Sequence, residues 1–522
     1  MNIPILSLIL FSPFVGALMV ALLPGQPLAI PRRAAFLFAL IPFALSLLML
    51  AAFDPAVGTL QLTEKVPWIP RLGVYYSLGV DGFSLWLILL TTLLTPIVIL
   101  SAWGDIIRYC KEFMILMLLL EGCMLGALVS VDLFLFFLFW ELMLFPMFFV
   151  IGVWGGPRRR YATIKFVLFT MTGSALMLAA MIYLVLRHAQ THPLTFDIVT
   201  LYSAHLTDSE QVLLFSAFTL AFMIKVPMVP LHTWLPDAHT EAPTGGSVDL
   251  AGVLLKMGAY GFLRFSLPMF PHAADQAFPI IMALAVVGII YGAMVAFLQP
   301  DMKRLVAYSS VSHLGFIMLG LYAFNETGIT GGVLQMLNHG LSTGALFILV
   351  GFVYDRRHTR MITEYGGLWN IMPVYAALFL VVTLSSIGLP GTNGFVGEFL
   401  ILIGAFHTHP WAAGIGTLGV VLGAVYMLTM YKDVFFGQVT NAVNRQLHDL
   451  SAREVSVLVP IIALIFLIGL FPKPFLDRIE PTTEVLVQRL RDSGAKHLQA
   501  DVPASDTRLA TREAPKQVPR RE

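Results

Sequence analysis

The sequence predicts an all-α, polytopic membrane protein with about fourteen transmembrane helices. Of its 522 residues, 57% are hydrophobic and only 12% are charged, whereas a soluble domain carries roughly 25% charged residues. Apolar stretches of about 20 residues, the length that a helix needs to cross the hydrocarbon core, recur along most of the chain. The net charge of +1 excludes the strongly basic surface that nucleic-acid binding requires.

Each apolar stretch is a candidate span. The first has neither basic residues before it nor a small-residue cleavage site after it, so we expect a retained helix rather than a signal peptide. The fourth and fifth are divided only by a turn at residues 130–132. The candidate spans are residues 3–23, 33–53, 82–101, 113–130, 132–152, 163–187, 211–237, 248–266, 278–297, 304–322, 329–353, 371–406, 411–431 and 454–471.

Lysine and arginine are concentrated in every second loop, which predicts the orientation because cytoplasmic loops carry an excess of them. An N-terminus on the outer side places fifteen of them in inner loops and four in outer loops. The even number of spans then puts both termini outside. The outer four are Lys65, Arg71, Arg187 and Arg264. The inner fifteen are Arg32, Arg33, Arg108, Lys111, Arg158, Arg159, Arg160, Lys303, Arg304, Arg356, Arg357, Arg360, Lys432, Arg445 and Arg453.

The seventh and twelfth spans contain helix breakers. The seventh carries Pro227, Pro230 and Pro236, and the twelfth, about 36 residues long, carries S-I-G-L-P-G-T-N-G at its centre. Proline removes a backbone donor and clashes with the preceding turn, and irregular backbone at membrane depth is tolerated where it lines a cavity. Because the breaks lie five spans apart, the two helices cross in opposite directions, which favours an inverted repeat. The alternative is that each proline merely kinks its helix.

This pattern predicts five regions along the chain. The antiporter-like inverted repeats pair spans four to eight with spans nine to thirteen. The tail is polar; it starts with an amphipathic stretch at Thr483–Leu490, is otherwise disordered, and is assigned no chemistry. The regions are 1–112 (three spans and an outer loop), 113–270 (first repeat, broken helix 7), 271–436 (second repeat, broken helix 12), 437–472 (inner loop and last span) and 473–522 (tail).

Four ionisable residues lie in the middle of apolar stretches: Glu141, Lys225, Lys256 and Glu398. A charged side chain at the bilayer centre costs about 2.5–3.5 kcal/mol on insertion scales, so such residues usually face a partner or a water-filled cavity. Glu141 is a suitable partner for Lys225, and a pair that can separate forms a switch, because a lysine holds its proton more firmly beside a carboxylate. Two acids alternating with two lysines therefore indicate a path for protons.

His313 and His339 also lie in mid-span, and neutral histidines bridge water chains well. Ordered as Glu141, Lys225, Lys256, His339, His313 and Glu398, the ionisable groups predict a polar axis parallel to the membrane plane. The alternative is that the charges form structural ion pairs and that each histidine is a hydrogen-bonded packing residue.

Other polar residues carry weaker signals. Glu121 can face the same axis, whereas Asp132 is expected at a helix end, and His232 and Trp234 are expected to shape the broken seventh helix. The two cysteines, Cys110 and Cys123, are too few for an iron–sulfur cluster and are expected as free thiols. No nucleotide, dinucleotide or covalent haem motif is present, so no cofactor or metal is expected in this chain.

Two long motifs resemble a known family. Lys225–Val248, K-V-P-M-V-P-L-H-T-W-L-P-D-A-H-T-E-A-P-T-G-G-S-V, is followed by L-A-G-V-L-L-K-M-G-A-Y-G-F-L-R-F, and Gly388–Leu400 reads G-L-P-G-T-N-G-F-V-G-E-F-L. The chain resembles, over about residues 80–440, the proton-translocating subunit M (chain 4) family of respiratory complex I, the NADH–quinone oxidoreductase. Many relatives carry lysine where this chain has Glu398, which favours subunit M. The absence of a further span and a long lateral helix after the fourteenth span argues against the larger subunit L.

The resemblance implies roles for the matching residues. Glu141 and Lys225 resemble the family's charge-coupled pair, Lys256 its central relay, and Glu398 its terminal proton-exchange residue, while the matching connecting histidines are His313 and His339.

It also implies a translocase subunit without a redox centre of its own. NADH, FMN, iron–sulfur clusters and quinone are expected in partner subunits, with neighbouring antiporter-like subunits and the lipid bilayer as contacts. The expected location is the inner (cytoplasmic) membrane of a bacterium rather than an organellar inner membrane. The alternatives are a subunit of a multisubunit cation/proton antiporter or membrane-bound hydrogenase, and a non-transporting scaffold.

Overall fold

The computed structural model describes residues 4–439 and 441–494. Within them, twelve continuous helices are long and apolar enough to cross a membrane, and two further crossings each consist of two shorter helices. The predicted all-α membrane bundle with about fourteen spans is therefore confirmed. The first eight spans are α1 (Ile5–Leu22), α2 (Ala29–Ala52), α3 (Gly82–Ser101), α4 (Cys110–Val129), α5 (Leu133–Trp154), α6 (Arg159–His188), α7a (Asp208–Lys225) with α7b (Trp234–Glu241), and α8 (Thr244–Met269).

The second half of the bundle follows, and the last helix of the described residues lies on it. These helices are α9 (Pro271–Phe297), α10 (Met302–Leu321), α11 (Glu326–Arg357), α12a (Pro373–Ser386) with α12b (Asn393–Thr408), α13 (Pro410–Phe435), α14 (Ala452–Leu470) and α15 (Lys473–Asp492). The division into inverted repeats stays a prediction.

Both predicted helix breaks are present. α7a ends at Lys225 and α7b begins at Trp234, so the first two prolines of the motif lie in non-helical backbone. In the twelfth span, Gly388 has a φ of +70° between α12a and α12b. Glycine adopts this left-handed conformation without the clash that a Cβ atom would cause. The breaks expose backbone groups to side chains inside the bundle.

The loop between α2 and α3 forms a β-hairpin that the helix-based reading of the sequence did not include. Strand β1 (Gln61–Ile69) pairs antiparallel with β2 (Val74–Val80). β1 contains Val66, Trp68 and Ile69, and β2 contains Val74, Tyr75, Tyr76 and Val80; β-branched and aromatic residues of this kind suit a pleated surface. The hairpin lies at the same end of the bundle as the α6–α7a loop, because Phe196 N donates to the Gly73 carbonyl at 3.2 Å. We call this end the hairpin face.

The tail prediction was wrong in extent. The predicted amphipathic stretch Thr483–Leu490 is the second half of α15, which begins already at Lys473 and contacts α3 and α11. Its buried side chains recur at helical spacing, which gives one apolar stripe. These residues are Phe475, Ile479, Thr482, Thr483, Leu486, Val487 and Leu490. The predicted disorder beyond residue 494 lies outside the described residues.

α15 is held on the hairpin face by close backbone contacts. Trp86 Nε1 on α3 donates to the Phe475 carbonyl at 3.2 Å, and the Gly82 amide donates to Thr482 Oγ1 at 3.0 Å. A Cβ atom at Gly82 would lie 2.1 Å from the Arg478 carbonyl oxygen. Only glycine therefore allows α15 to approach the start of α3 this closely.

Replacing Gly82 by alanine is expected to displace α15. Overpacking of this kind costs about 1–3 kcal/mol, so the melting temperature of the purified protein should fall and trypsin should cleave after Arg478 faster. Gly414→Ala is the matched control, because a Cβ atom there meets nothing within 4 Å. Equal melting temperatures and cleavage rates for the two variants would contradict the close approach.

The predicted outer-loop residue Arg264 lies instead in α8 and is buried. Its Nη2 is 2.6 Å from Asp81 Oδ2, at the residue before α3. The ion pair therefore joins the hairpin-face ends of α8 and α3. At the opposite end of the bundle, Arg356 pairs with Glu454 at 2.7 Å and Arg360 with Asp301 at 3.2 Å. We call this end the arginine-rich face.

Candidate functional site: a buried polar row

Lys256 lies at the centre of the bundle, and its side chain is fully buried. It belongs to the short α-helical segment of α8 between two π-helical turns, Leu250–Leu254 and Phe262–Ser266. Such turns leave the regular hydrogen-bond pattern and often mark functional positions. Lys256 Nζ donates to the Ala251 carbonyl and lies 2.6 Å from His339 Nδ1 on α11. The lysine and the histidine can therefore share a proton directly.

From His339 the polar row continues toward α12b. The ring centroids of His339 and His313 are 5.6 Å apart, and His313 Nδ1 is 3.1 Å from Glu398 Oε1. Gln335 Nε2 donates to the same carboxylate oxygen at 3.1 Å. The structure thus brings four of the six predicted site residues together in the predicted order: Lys256, His339, His313 and Glu398.

A small cavity lies beside the two histidines. Its volume is about 10 Å³, and it is lined by polar side chains of α11 and by the break in the twelfth span. A cavity of roughly 10–15 Å³ is the smallest that holds one water molecule, and a water there needs two to four polar partners. His339 Nε2 is buried and has no hydrogen-bond partner among the described residues. A single water in this cavity suits the gap between the two rings.

The start of α12b is held by a network that the sequence analysis missed. Ser385 Oγ donates to Asn393 Oδ1 at 2.6 Å, Ser342 and Ser385 share a hydrogen bond of 2.6 Å, and Asn338 Nδ2 donates to the Asn393 carbonyl at 2.8 Å. This network fixes the broken helix near Glu398. One signal existed in the sequence: residues 335, 338, 339 and 342 are polar and recur on one face of an apolar helix.

Glu141 and Lys225 are not paired in this structure. Lys225, the last residue of α7a, is buried; its Nζ lies 4.8 Å from the centroid of the Trp140 ring and has no hydrogen-bond partner among the described residues. Glu141 Oε1 is also buried without a partner among these residues. A cation at a helix C-terminus and over an aromatic ring is stabilised by both. The predicted pair therefore forms no hydrogen bond or ion pair among the described residues, although Glu141 is a charged neighbour of Lys225.

Lys225 and Lys256 lie on contacting helices but share no hydrogen bond in the described part of the chain. α8 reaches the end of α7a closely at Gly258, where a Cβ atom would lie 2.8 Å from the Val226 amide nitrogen. The predicted axis therefore has two parts. Within the described ranges, Glu141 and Lys225 form no hydrogen bond with each other or with Lys256, whereas the residues from Lys256 to Glu398 form a series of close contacts.

Three further buried polar residues surround the row. Both carboxylate oxygens of Glu121 and Oδ1 of Asp249 have no hydrogen-bond partner in the described ranges, and Asp249 is the charged neighbour of Glu121. His239 stacks on Phe347 with centroids 4.7 Å apart, and Lys256 is among its charged neighbours. The sequence analysis missed Asp249 in the first turns of α8 and His239 inside α7b, because a lone polar residue in a short helical stretch usually has an ordinary structural explanation.

The remaining predicted residues have structural contacts. Asp132 precedes α5 and accepts from the Phe134 and Leu135 amides at 3.0 and 3.1 Å, as a helix-capping residue does. Trp234 Nε1 of α7b donates to the Ile224 carbonyl of α7a at 2.9 Å, and this hydrogen bond joins the two halves of the seventh span. His232 contacts the ring of Tyr291.

A cavity of about 420 Å³ with several charged lining residues opens on the arginine-rich face. Its lining includes Asp105, Glu241 and Lys303, and Lys303 Nζ donates to the Ala242 carbonyl. Burial raises the pKa of Asp105 in the α3–α4 loop, while the nearby charges of Lys303 and His358 oppose this. Lys303, like Lys256, is a charged neighbour of His239, so this histidine is close to charges of both the cavity wall and the row.

The described residues contain no group of three or more histidine, cysteine or acidic side chains that could hold a metal ion. Cys110 and Cys123 are buried and form no disulfide.

The bundle with two broken helices and an internal row of ionisable groups defines an antiporter-like membrane protein. Residues 130–423 match the family described as NADH:quinone oxidoreductase/Mrp antiporter, TM. The chain is 46% identical over 501 residues to NADH-quinone oxidoreductase subunit M of Rhodobacter capsulatus, covering 93% of this chain and 96% of that one. It is 41% identical over 484 residues to NADH-ubiquinone oxidoreductase chain 4 of Marchantia polymorpha, covering 92% and 97%.

Among solved structures, a chain of respiratory complex I from Thermus thermophilus with bound NADH matches with a TM-score of 0.85 and 34% identity, covering 93% of this chain and 99% of that one. The protein belongs to the family of NADH–quinone oxidoreductase subunit M, or chain 4. The family resemblance expected from the two long motifs is thereby confirmed.

Proposed function

We propose that this chain is a proton-translocating subunit in the membrane arm of NADH–quinone oxidoreductase and that its protons move along the buried row. The single observation that carries the proposal is the contact series Lys256–His339–His313–Glu398. Groups that both accept and donate protons, within hydrogen-bond reach or one water apart, are what proton transfer requires. The driving energy comes from quinone reduction in other subunits, since this chain has no cofactor motif.

Glu141 and Lys225 act as the switch in this proposal. Near a carboxylate, a buried lysine holds its proton firmly, whereas burial without a counter-ion favours release of the proton. In the separated arrangement, Lys225 can pass its proton along water toward Lys256; on approach of Glu141, it is recharged. A lysine suits this role because its proton is labile on burial, whereas arginine stays charged.

The cavity on the arginine-rich face is the proposed point of proton intake. Lys303 lies in its wall, and His239 has both Lys303 and Lys256 as charged neighbours. Both ring nitrogens of His239 lack a hydrogen-bond partner within the described ranges, so the ring is free to bridge waters between the cavity and the row. Glu398 at the other end of the row is the proposed exit group.

The proposed setting follows from the relatives. We place the chain in a bacterial inner membrane with both termini on the outer side, because its basic residues are concentrated at the arginine-rich face. Other antiporter-like membrane-arm subunits are its neighbours, and NADH, FMN, iron–sulfur clusters and quinone belong to the partner subunits. The related structure from Thermus thermophilus is a respiratory complex I with bound NADH, which supports this division between subunits.

Replacing Glu141 by glutamine or Lys225 by alanine tests the proposal. Each removes one member of the switch, so coupled NADH–quinone turnover and proton pumping should fall by about tenfold or more, as expected for loss of a positioned proton-transfer group. The readouts are NADH oxidation and acidification of inverted membrane vesicles. The complex should still assemble on native gels, because neither side chain has a hydrogen-bond partner among the described residues that its loss would strand.

Glu112→Gln on an exposed position of α4 and Lys432→Ala, which removes a side chain 73% exposed, are the matched controls. Normal pumping in the Glu141 and Lys225 variants would refute the switch. Loss of assembly before loss of activity would instead indicate the scaffold alternative.

The family description also includes Mrp antiporters, so sodium export is the second candidate function. Purification of the tagged chain with its native partners separates the two. Co-purifying flavin and iron–sulfur subunits support the NADH–quinone oxidoreductase; a set of cation antiporter subunits without them contradicts it.

A further inference from the structure

An apolar groove opens on the lipid-facing side of the bundle, away from the polar row. It has a volume of about 340 Å³ and lies between α2 and α14, with α3 and α11 as its floor. The rim residues Leu47 and Leu467 are 46% and 47% exposed, whereas the floor residues Leu90 and Leu341 are buried. The groove is therefore open sideways, between the two outer helices, toward the position of the acyl chains.

The groove spans one leaflet rather than the whole membrane. On α3 it extends from Trp86 to Leu93, and on α2 from Leu50 to Phe43. Seven residues of helix rise by about 10 Å, whereas one half of the hydrocarbon core is about 15 Å thick. Both segments begin close to the hairpin face and run inward. The depth of the groove suits the acyl chain of a lipid in the leaflet on that side.

One charged side chain stands at the mouth of the groove. Every other described residue of the lining is apolar, aromatic or proline, but Arg478 of α15 completes the lining at the hairpin face. Its Nη1 donates to the Pro474 carbonyl at 2.7 Å, and its Nε is buried without a partner among the described residues. Arginine donates strong, directional hydrogen bonds to phosphate oxygens. The Arg478 side chain is the charged part of the described lining, at the end of the groove nearest the membrane surface.

We propose that this groove binds a phospholipid of that leaflet, with one acyl chain between α2 and α14 and the phosphodiester on Arg478. Apolar walls with a single guanidinium at the membrane surface complement this molecule in both shape and charge. The alternative occupant is a helix of a neighbouring subunit. Such a helix is about 10 Å in diameter with its side chains, and nothing requires it to carry an anion opposite Arg478. The bound lipid would also fasten α15 to the bundle, because Arg478, Pro474 and Phe475 belong both to α15 and to the groove.

The test uses the whole purified complex in nanodiscs that contain phosphatidylglycerol with a photoactivatable diazirine in one acyl chain. After illumination, labelled peptides are mapped by mass spectrometry. We expect labelling of α2, α3 and α14 peptides in the parent and a fall of about fivefold or more when Leu47→Trp and Leu467→Trp fill the groove. Leu418→Trp on α13, at a side chain 57% exposed, is the matched control and should keep the labelling.

A second variant tests the phosphate contact without altering the groove walls. Arg478→Ala should reduce labelling by the phospholipid but not by a diazirine dialkylglycerol, which has the same chains and no phosphate. Arg71→Ala, at an exposed position of the hairpin turn, controls for loss of one surface charge and should leave labelling by both probes unchanged.

Three outcomes would contradict the proposal. Unchanged labelling in the groove-filled variant overturns the site. Equal loss of both probes in Arg478→Ala overturns the headgroup assignment. Displacement of the phospholipid by quinone at an equal concentration identifies a different ligand and contradicts the proposal.

Discussion

Replacing Lys256 by methionine is expected to abolish proton pumping through this chain and to lower NADH–quinone turnover by about tenfold or more. Methionine has a similar length and is compatible with the buried position, so the packing of α8 should persist. What is lost is the group 2.6 Å from His339 Nδ1 that begins the contacting part of the row. The measurement is NADH-driven acidification of inverted vesicles, with the amount of assembled complex determined on native gels.

Two further variants make this prediction sharp. Lys256→Arg retains the positive charge but not a proton that can be released, since arginine does not deprotonate in proteins. It should therefore be as inactive as the methionine variant. Leu255→Met, at the adjacent buried position, controls for the introduction of methionine and should pump normally. If Lys256→Arg pumped as well as the parent, the lysine would be a fixed counter-charge and the row could not pass protons through it.

The sequence indicates candidate site residues more readily than it indicates their contacts, and the roles of these residues stay predictions. A lysine or glutamate in an apolar run contrasts with its neighbours, so Lys256 and Glu398 could be recognised without any structure. The helix breaks could also be predicted from the sequence, because proline and glycine disrupt a helix at their own position. The structure places His339 and His313 between these two residues, and their part in proton transfer stays a prediction. These signals depend on residue type and position along one helix, which a sequence records directly.

Contacts between distant helices were not predictable in the same way. Whether Glu141 touches Lys225 depends on how α5 and α7a are rotated and spaced, and neither helix records this in its own pattern. The polar network at Asn393 combines residues from α11, α12a and α12b whose hydroxyl and amide groups are common in any helix. The length of α15 was underestimated because prolines at 472, 474 and 481 resemble loop signals. Pro474 lies in the first turn, where proline is tolerated, whereas Pro481 lies inside the helix.

The ion pair of Arg264 and Asp81 leads to the largest expected effect on stability. Arg264 Nη2 lies 2.6 Å from Asp81 Oδ2, its Nε donates to the Tyr260 hydroxyl at 3.1 Å, and both charged residues are buried. Asp81 also caps α3 by accepting from the Phe83 and Ser84 amides. Removing the arginine would leave this carboxylate buried without its counter-ion. Breaking a buried pair in this way costs about 3–5 kcal/mol.

We therefore expect Arg264→Met to lower the melting temperature of the purified complex and the amount of this chain retained in it, as measured by thermal unfolding and native gels. Adding Asp81→Asn should recover a large part of both, because asparagine keeps an oxygen for the α3 cap and introduces no buried charge. Arg71→Met, in the exposed hairpin turn, is the control for the substitution itself. If Arg264→Met unfolded at the parent's temperature, the ion pair would not contribute to stability. If the double variant were no more stable than the single one, the unpaired carboxylate of Asp81 would not be the cause of the lost stability. Proton pumping is measured on the same variants. The ion pair lies at the hairpin face and the row at the centre of the bundle, so recovery of stability in the double variant tests the packing of α3 and α8 independently of the row at Lys256.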